Sequence, residues 1–156
     1  MDIVLLTTAA FTLLKPFLTK AGGKIAEAVG EDFYKKVKGL FSRKEDNQLL
    51  EKAEKGPLSG DEVRQIESSV GQELPKNDAL LKQLKEQLNL GFADTTKLEG
   101  ILTSIEKIKM KLQPLYAEYA DAGVATQGDY LNTIRMQERK LAQMEDDLYT
   151  LVHKKS

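Results

Sequence analysis

Three constellations in this chain have residue types and spacings that suggest chemistry of their own, and each falls short of it. Gly22-Gly23-Lys24 suggests a phosphate cradle, in which backbone N–H groups and a lysine wrap an anion. That pattern demands a glycine where Leu18 stands and a serine or threonine where Ile25 stands. A close helix contact or a break is the plainer reading. His153 is the only histidine, beside Lys154-Lys155 near the carboxyl end. One imidazole cannot make a multi-histidine metal site, and a cation in the last turn of a helix is favoured by the helix dipole alone. Glu145-Asp146-Asp147, and Glu118 with Asp121, gather carboxylates. Successive helical residues fan out by about 100°, so the triplet cannot converge on one ion. The alternating oxygen ligands and central glycine of a calcium loop are absent. A solvated acidic face is the expectation.

The chain has no cysteine, which removes disulfides, thiolate metal sites and a cysteine nucleophile. No catalytic residue, metal, cofactor or small-molecule substrate is indicated, and the chain is expected not to be an enzyme.

A fourth set is basic and aromatic. Lys35, Lys36, Lys38, Arg43 and Lys44 interleave with Phe33, Tyr34 and Phe41. Such interleaving serves nucleic acids through phosphate pairing and base stacking. A pI of about 5.9 and the lack of any nucleic-acid motif argue against that use. A membrane interface suits the set better, since each cation near an anionic leaflet contributes roughly 1 kcal/mol. Phe17, Phe33, Phe41 and Leu40 would add an apolar face. The competing account is a core helix with basic edges.

The elements behind these residues divide by charge. The first 44 residues hold eight Lys/Arg against four Asp/Glu, while the remainder hold 15 against 20. Ile3–Leu14 is uncharged but too short to span a bilayer, which takes about 20 residues. Asp2 and Lys15-Pro16 do not suit a secretory signal. A cytoplasmic protein is expected, peripheral to a membrane under the interfacial reading.

Apolar spacing predicts a helix over 3–29, with a kink or break near Leu13–Lys15 caused by Pro16 and weakening at Gly22-Gly23. A second helix is expected from Glu31, with Phe33, Val37, Leu40 and Phe41 on one face. A short helix around Leu49-Leu50 closes at Gly56-Pro57. Ser59-Gly60-Asp61-Glu62 fits a capping box, with Leu58 and Val63 as its staple. The helix that follows runs over about 60–70. Pro75 separates it from a helix led by Asn77 or Asp78 and carrying Leu80, Leu81, Leu84 and Leu88. Leu90-Gly91-Phe92 links to the last third.

There the spacing is regular. Leu98, Ile101, Ile105, Ile108, Leu112, Leu115 and Tyr119 alternate by threes and fours. After Asp121-Ala122-Gly123, Thr126 is expected to cap a helix carrying Tyr130, Ile134, Gln137, Leu141, Met144, Leu148 and Leu151. Two helices of about 26 residues make an antiparallel, coiled-coil-like hairpin, bent at Pro114. Leu102, Met110 and Leu131 widen its seam, so the hairpin is expected to dock on the bundle. No segment alternates like a strand.

The run Phe11–Leu14, Lys15-Pro16-Phe17-Leu18, Gly22-Gly23-Lys24-Ile25-Ala26 and Val37-Lys38-Gly39-Leu40-Phe41 resembles amino-terminal helical domains of bacterial conflict and signalling proteins. It is also similar to HeLo-like four-helix bundles of cell-death effectors. The resemblance spans the first half of the chain and transfers no site residue. It implies a bundle that assembles with copies of itself or perturbs membranes, with an attached module that senses or relays a signal.

The reading is therefore an all-α protein: a helical bundle over 1–92, then an antiparallel hairpin over 93–156. Its expected function is that of a non-enzymatic protein–protein interaction or oligomerisation module, as in the amino-terminal domain of a bacterial defence or signalling protein. A protein partner or self-association is expected through the seam Ile105, Ile108, Leu112, Ile134, Leu141 and Leu148. The alternative is a membrane-docking or membrane-permeabilising effector acting through residues 1–44, with Phe17, Phe33, Lys35, Lys36, Lys38, Phe41, Arg43 and Lys44 at the anionic surface.

Overall fold

A computed structural model describes residues 2–19, 35, 37–88 and 92–155, side chains of residues 92 and 153–155 excepted. The protein is all-α: a helical bundle is followed by a long antiparallel hairpin, and the described residues include no strand. Two compact units divide the chain, Met1–Asn89 and Leu90–Ser156.

In the first unit, α1 spans Ile3–Thr19. Pro16 lies inside it and does not break it. The expected weakening at Gly22-Gly23 and the helix start at Glu31 lie outside the described residues. From Leu6 to Leu14 the helix is buried at nearly every position, Thr8 and Thr12 included. A helix buried on all sides is a central one, and α1 packs against the helices over 44–55, 60–73 and 78–87 and against the 3-10 turn over 74–76. Its two buried hydroxyls are satisfied within the helix. Thr8 Oγ1 donates to Val4 O at 3.0 Å and Thr12 Oγ1 to Thr8 O at 2.7 Å, so the interior accepts them without an unpaired donor.

A helical turn at residues 37–38 precedes α2, Lys44–Lys55. Asn47 Nδ2 donates to Phe41 O at 3.1 Å and to Arg43 O at 3.3 Å, closing the entry to α2. Asp46 is buried in its first turn, where a helix favours negative charge. Gly56 N–H donates to Lys52 O at 3.1 Å and ends the helix.

α3 spans Gly60–Glu73 and opens on the capping box. Ser59 Oγ accepts from Glu62 N–H at 3.3 Å, and Glu62 Oε1 accepts from Ser59 N–H at 3.0 Å. Leu58 and Val63 are both buried, as a staple requires. A 3-10 turn over Leu74–Lys76 takes up Pro75, and α4 spans Asp78–Gln87. Of the two candidate caps Asn77 is the one used: its Oδ1 accepts from Leu80 N–H at 3.0 Å. Among the described residues of the unit, Leu6, Leu14, Leu18, Leu50, Ile66, Leu74 and Leu84 are the largest fully buried side chains.

Glu62 has a second partner, Lys52 Nζ at 2.8 Å from Oε2. The hydrogen bond from Lys52, and then that from the Ser59 backbone, hold the Glu62 carboxyl at about 2, well below its ordinary 4.5. A carboxyl depressed by folding adds stability above its unfolded value and loses it as pH falls through its folded one. The start of α3 therefore loosens as pH drops from about 4.5 toward 2. An NMR titration of the Glu62 side chain with amide exchange at Ser59 and Glu62 checks this. A midpoint near 4.5 would show the carboxylate unpaired.

The second unit is the hairpin. α5 spans Phe92–Asp121 and α6 Val124–Lys155, 30 and 32 residues, each longer than the apolar spacing predicts. They pack along one another. Pro114 lies inside α5 without ending it. α6 begins at Val124, before the expected cap Thr126. The Thr126 hydroxyl lies inside the first turn of α6, where it donates backward to Gly123 O at 3.1 Å. Gly123 fills the cap position because its carbonyl already accepts the first helical bonds, from Thr126 N–H at 3.0 Å and Gln127 N–H at 3.2 Å.

Candidate interaction surface

The six seam residues all lie inside the protein. Ile105, Leu148, Leu112 and Ile134 are at most 3% exposed, Leu141 8% and Ile108 9%. They are interior to the fold, and a partner that leaves the hairpin closed does not touch them. Leu98, Leu102 and Leu151 complete the stripe. Of the three residues expected to widen it, Leu102 is fully buried and Leu131 half-buried, but Met110 is 70% exposed. Five residues after Ile105, Met110 sits about 140° around the helix from it.

The acidic triplet differs from a solvated face. Glu145 is 7% exposed, whereas Asp146 faces solvent. Glu145 falls four residues after Leu141 and three before Leu148, which is the seam's own spacing. Asp147 Oδ1 accepts from Gln143 Nε2 at 3.0 Å along the helix. Burial first, then the charges of Glu145 and Asp146, pushes the Tyr149 phenol far above its ordinary 10.0. Tyr149 is therefore expected to stay un-ionised while ordinary tyrosines titrate. Alkaline difference spectra of wild type and Tyr149→Phe should coincide until the helices melt; a step lost in the variant below that point would refute the burial.

Beside the turn, an open groove of about 660 Å³ is lined by Leu115, Ala117, Glu118, Asp121, Asp129 and Tyr130, among others. Its carboxylates are on exposed residues. Among the described residues no three His, Cys, Asp or Glu are gathered so as to hold a metal ion. The His153 side chain and Gly22-Gly23-Lys24 lie outside the described residues.

The basic–aromatic set is split by its surroundings. Phe41 is buried and Phe17 half-buried. Lys38 Nζ pairs with Glu54 Oε1 at 2.9 Å, while Lys35, Arg43 and Lys44 are exposed. Phe33 and Lys36 lie outside the described residues. No described helix is long and apolar enough to cross a membrane. Ile3 and Val4, 49% and 61% exposed, are the large apolar side chains that α1 shows to solvent.

Compared with known protein families, with curated proteins and with solved structures, the chain has no match in any of the three.

Proposed function

We propose that the chain is a non-enzymatic helical interaction module that assembles through helix–helix contacts, with its hairpin as the assembling element. The observation that supports this reading is the seam itself. Two helices of 30 and 32 residues share a single apolar stripe at coiled-coil spacing, a pattern that provides affinity wherever two such helices meet. The segregated charges of the chain would orient the partners. The resemblance of the first half to self-assembling bundles fits the same reading.

The membrane alternative gains nothing from the geometry. Leu6, Phe11, Leu13, Leu14 and Leu18 already fill the bundle core, so α1 would have to leave its own unit to enter a lipid interface.

The test is sedimentation of the full chain across concentration, with capture of partners by the tagged full chain. A concentration-dependent assembly or a specific protein partner is expected. A strictly monomeric chain that captures nothing would overturn the reading. Ile108→Asp is unsuited to this test, because Ile108 is interior and its loss would remove fold and assembly together.

A further inference from the structure

We propose that the α5–α6 hairpin is exchanged between two copies of this chain, each copy opening at Ala122-Gly123 into one continuous helix. The proposal rests on the assembly reading above and names the partner, a second copy.

The hinge is the first support. α5 ends at Asp121 and α6 begins at Val124, so two residues make the whole turn. Gly123 is not in the left-handed region, and a Cβ there would meet no atom within 4 Å. The turn thus makes no demand that glycine alone can meet. Its backbone bonds are local: Ala122 N–H donates to Tyr119 O at 3.3 Å, and Gln127 N–H to Gly123 O in helical spacing. Straightening the turn replaces local bonds with local bonds.

The phase of the seam is the second. Leu98 and Ile134, Ile105 and Leu141, and Leu112 and Leu148 are each 36 residues apart. That is ten whole turns at about 3.6 residues per turn. If the turn became helical, the seam residues of α5 and α6 would fall on one stripe. Gly123 would lie on its midline, 18 residues from Ile105 and from Leu141.

Symmetry is the third. Counting outward from Gly123, Leu112 and Ile134 are equidistant, as are Ile105 and Leu141, and Leu98 and Leu148. A stripe symmetric about its centre is self-complementary in the antiparallel sense. Two opened chains can therefore pair about a two-fold axis through their Gly123 residues and restore the hairpin's own neighbours, each from the other copy. Such an interface is closed and isologous.

The experiment is sedimentation of the full chain and three variants across concentration. Gly123→Ala removes a glycine from the interior of the continuous helix, worth about fivefold per chain, and so tightens the dimer by about 25-fold. Val124→Pro places proline at the first position of α6, where a hairpin accepts it. In a continuous helix the same proline weakens the dimer by more than about a hundredfold. Inserting a flexible Gly/Ser segment between Ala122 and Gly123 likewise leaves monomers, and it carries the comparison if circular dichroism shows Val124→Pro has lost helix. Wild-type and Gly123→Ala chains that remain monomeric at every concentration overturn the exchange. So does a dimer that neither Val124→Pro nor the insertion weakens, although that result leaves assembly itself standing on another surface. Monomers that also capture no partner overturn both readings.

Discussion

Leu14→Ala is expected to lower the unfolding free energy by about 2–5 kcal/mol, the range for emptying a fully buried leucine site. Leu14 is 0% exposed, in the middle of a helix whose neighbours enclose it on all sides. The cost has two parts, the lost transfer free energy of the side chain and the cavity that remains. α1 is central, so the surrounding helices have no single direction in which to collapse, which favours the upper end of the range. Set against a total stability of about 5–15 kcal/mol for a domain, the change is large enough to follow by urea denaturation. The same measurement separates the two accounts of the amino-terminal segment. If α1 were held for a membrane rather than for the core, Leu14→Ala would cost less than about 1 kcal/mol in solution.

Ile105→Asp should be as damaging to the second unit. Ile105 is fully buried, and a carboxylate left there without a partner costs about 3–5 kcal/mol. The expected result is loss of helical circular dichroism from α5 and α6, together with early amide exchange in both. Met110→Asp is the internal control. Five residues further along the same helix and 70% exposed, it should change stability by no more than about 0.5 kcal/mol. Equal effects at the two positions would mean that the stripe through Leu98, Ile105, Leu112, Ile134, Leu141 and Leu148 does not hold the hairpin together.

Much of this architecture was legible in particular residues. Ser59 and Glu62 announce the start of α3 because a capping box is a local device, needing four residues and no tertiary partner. The alternation along α5 and α6 marks each helix and its apolar face, because a helical period is also read within one segment. What the chain hides is the role of individual residues that violate their type. Glu145 reads as solvent-facing when judged by charge and as seam when judged by spacing, and spacing prevails. Met110 shows the converse: apolar in type, it lies off the stripe, and its position decides its exposure. Buried Asp46 carries no local signal beyond its place in the first turn of α2. Thr126 has the residue type of a cap but lies inside α6, where its hydroxyl bonds backward to a carbonyl within its own turn. The candidate surface was the least legible part, since the same apolar stripe serves an intramolecular partner and an intermolecular one equally well.

Glu62 joins α2 to α3 through two latches of different kinds. Its Oε1 holds the Ser59 amide, and its Oε2 holds Lys52 at 2.8 Å, a lysine whose side chain is 60% exposed. Added salt screens an exposed charge pair and leaves a backbone hydrogen bond largely untouched. Ionic strength should therefore release α2 from this joint while the first turn of α3 stays wound, whereas acid releases both at once. The bundle thus has two separable modes of local opening at one carboxylate, and the solvent conditions select between them.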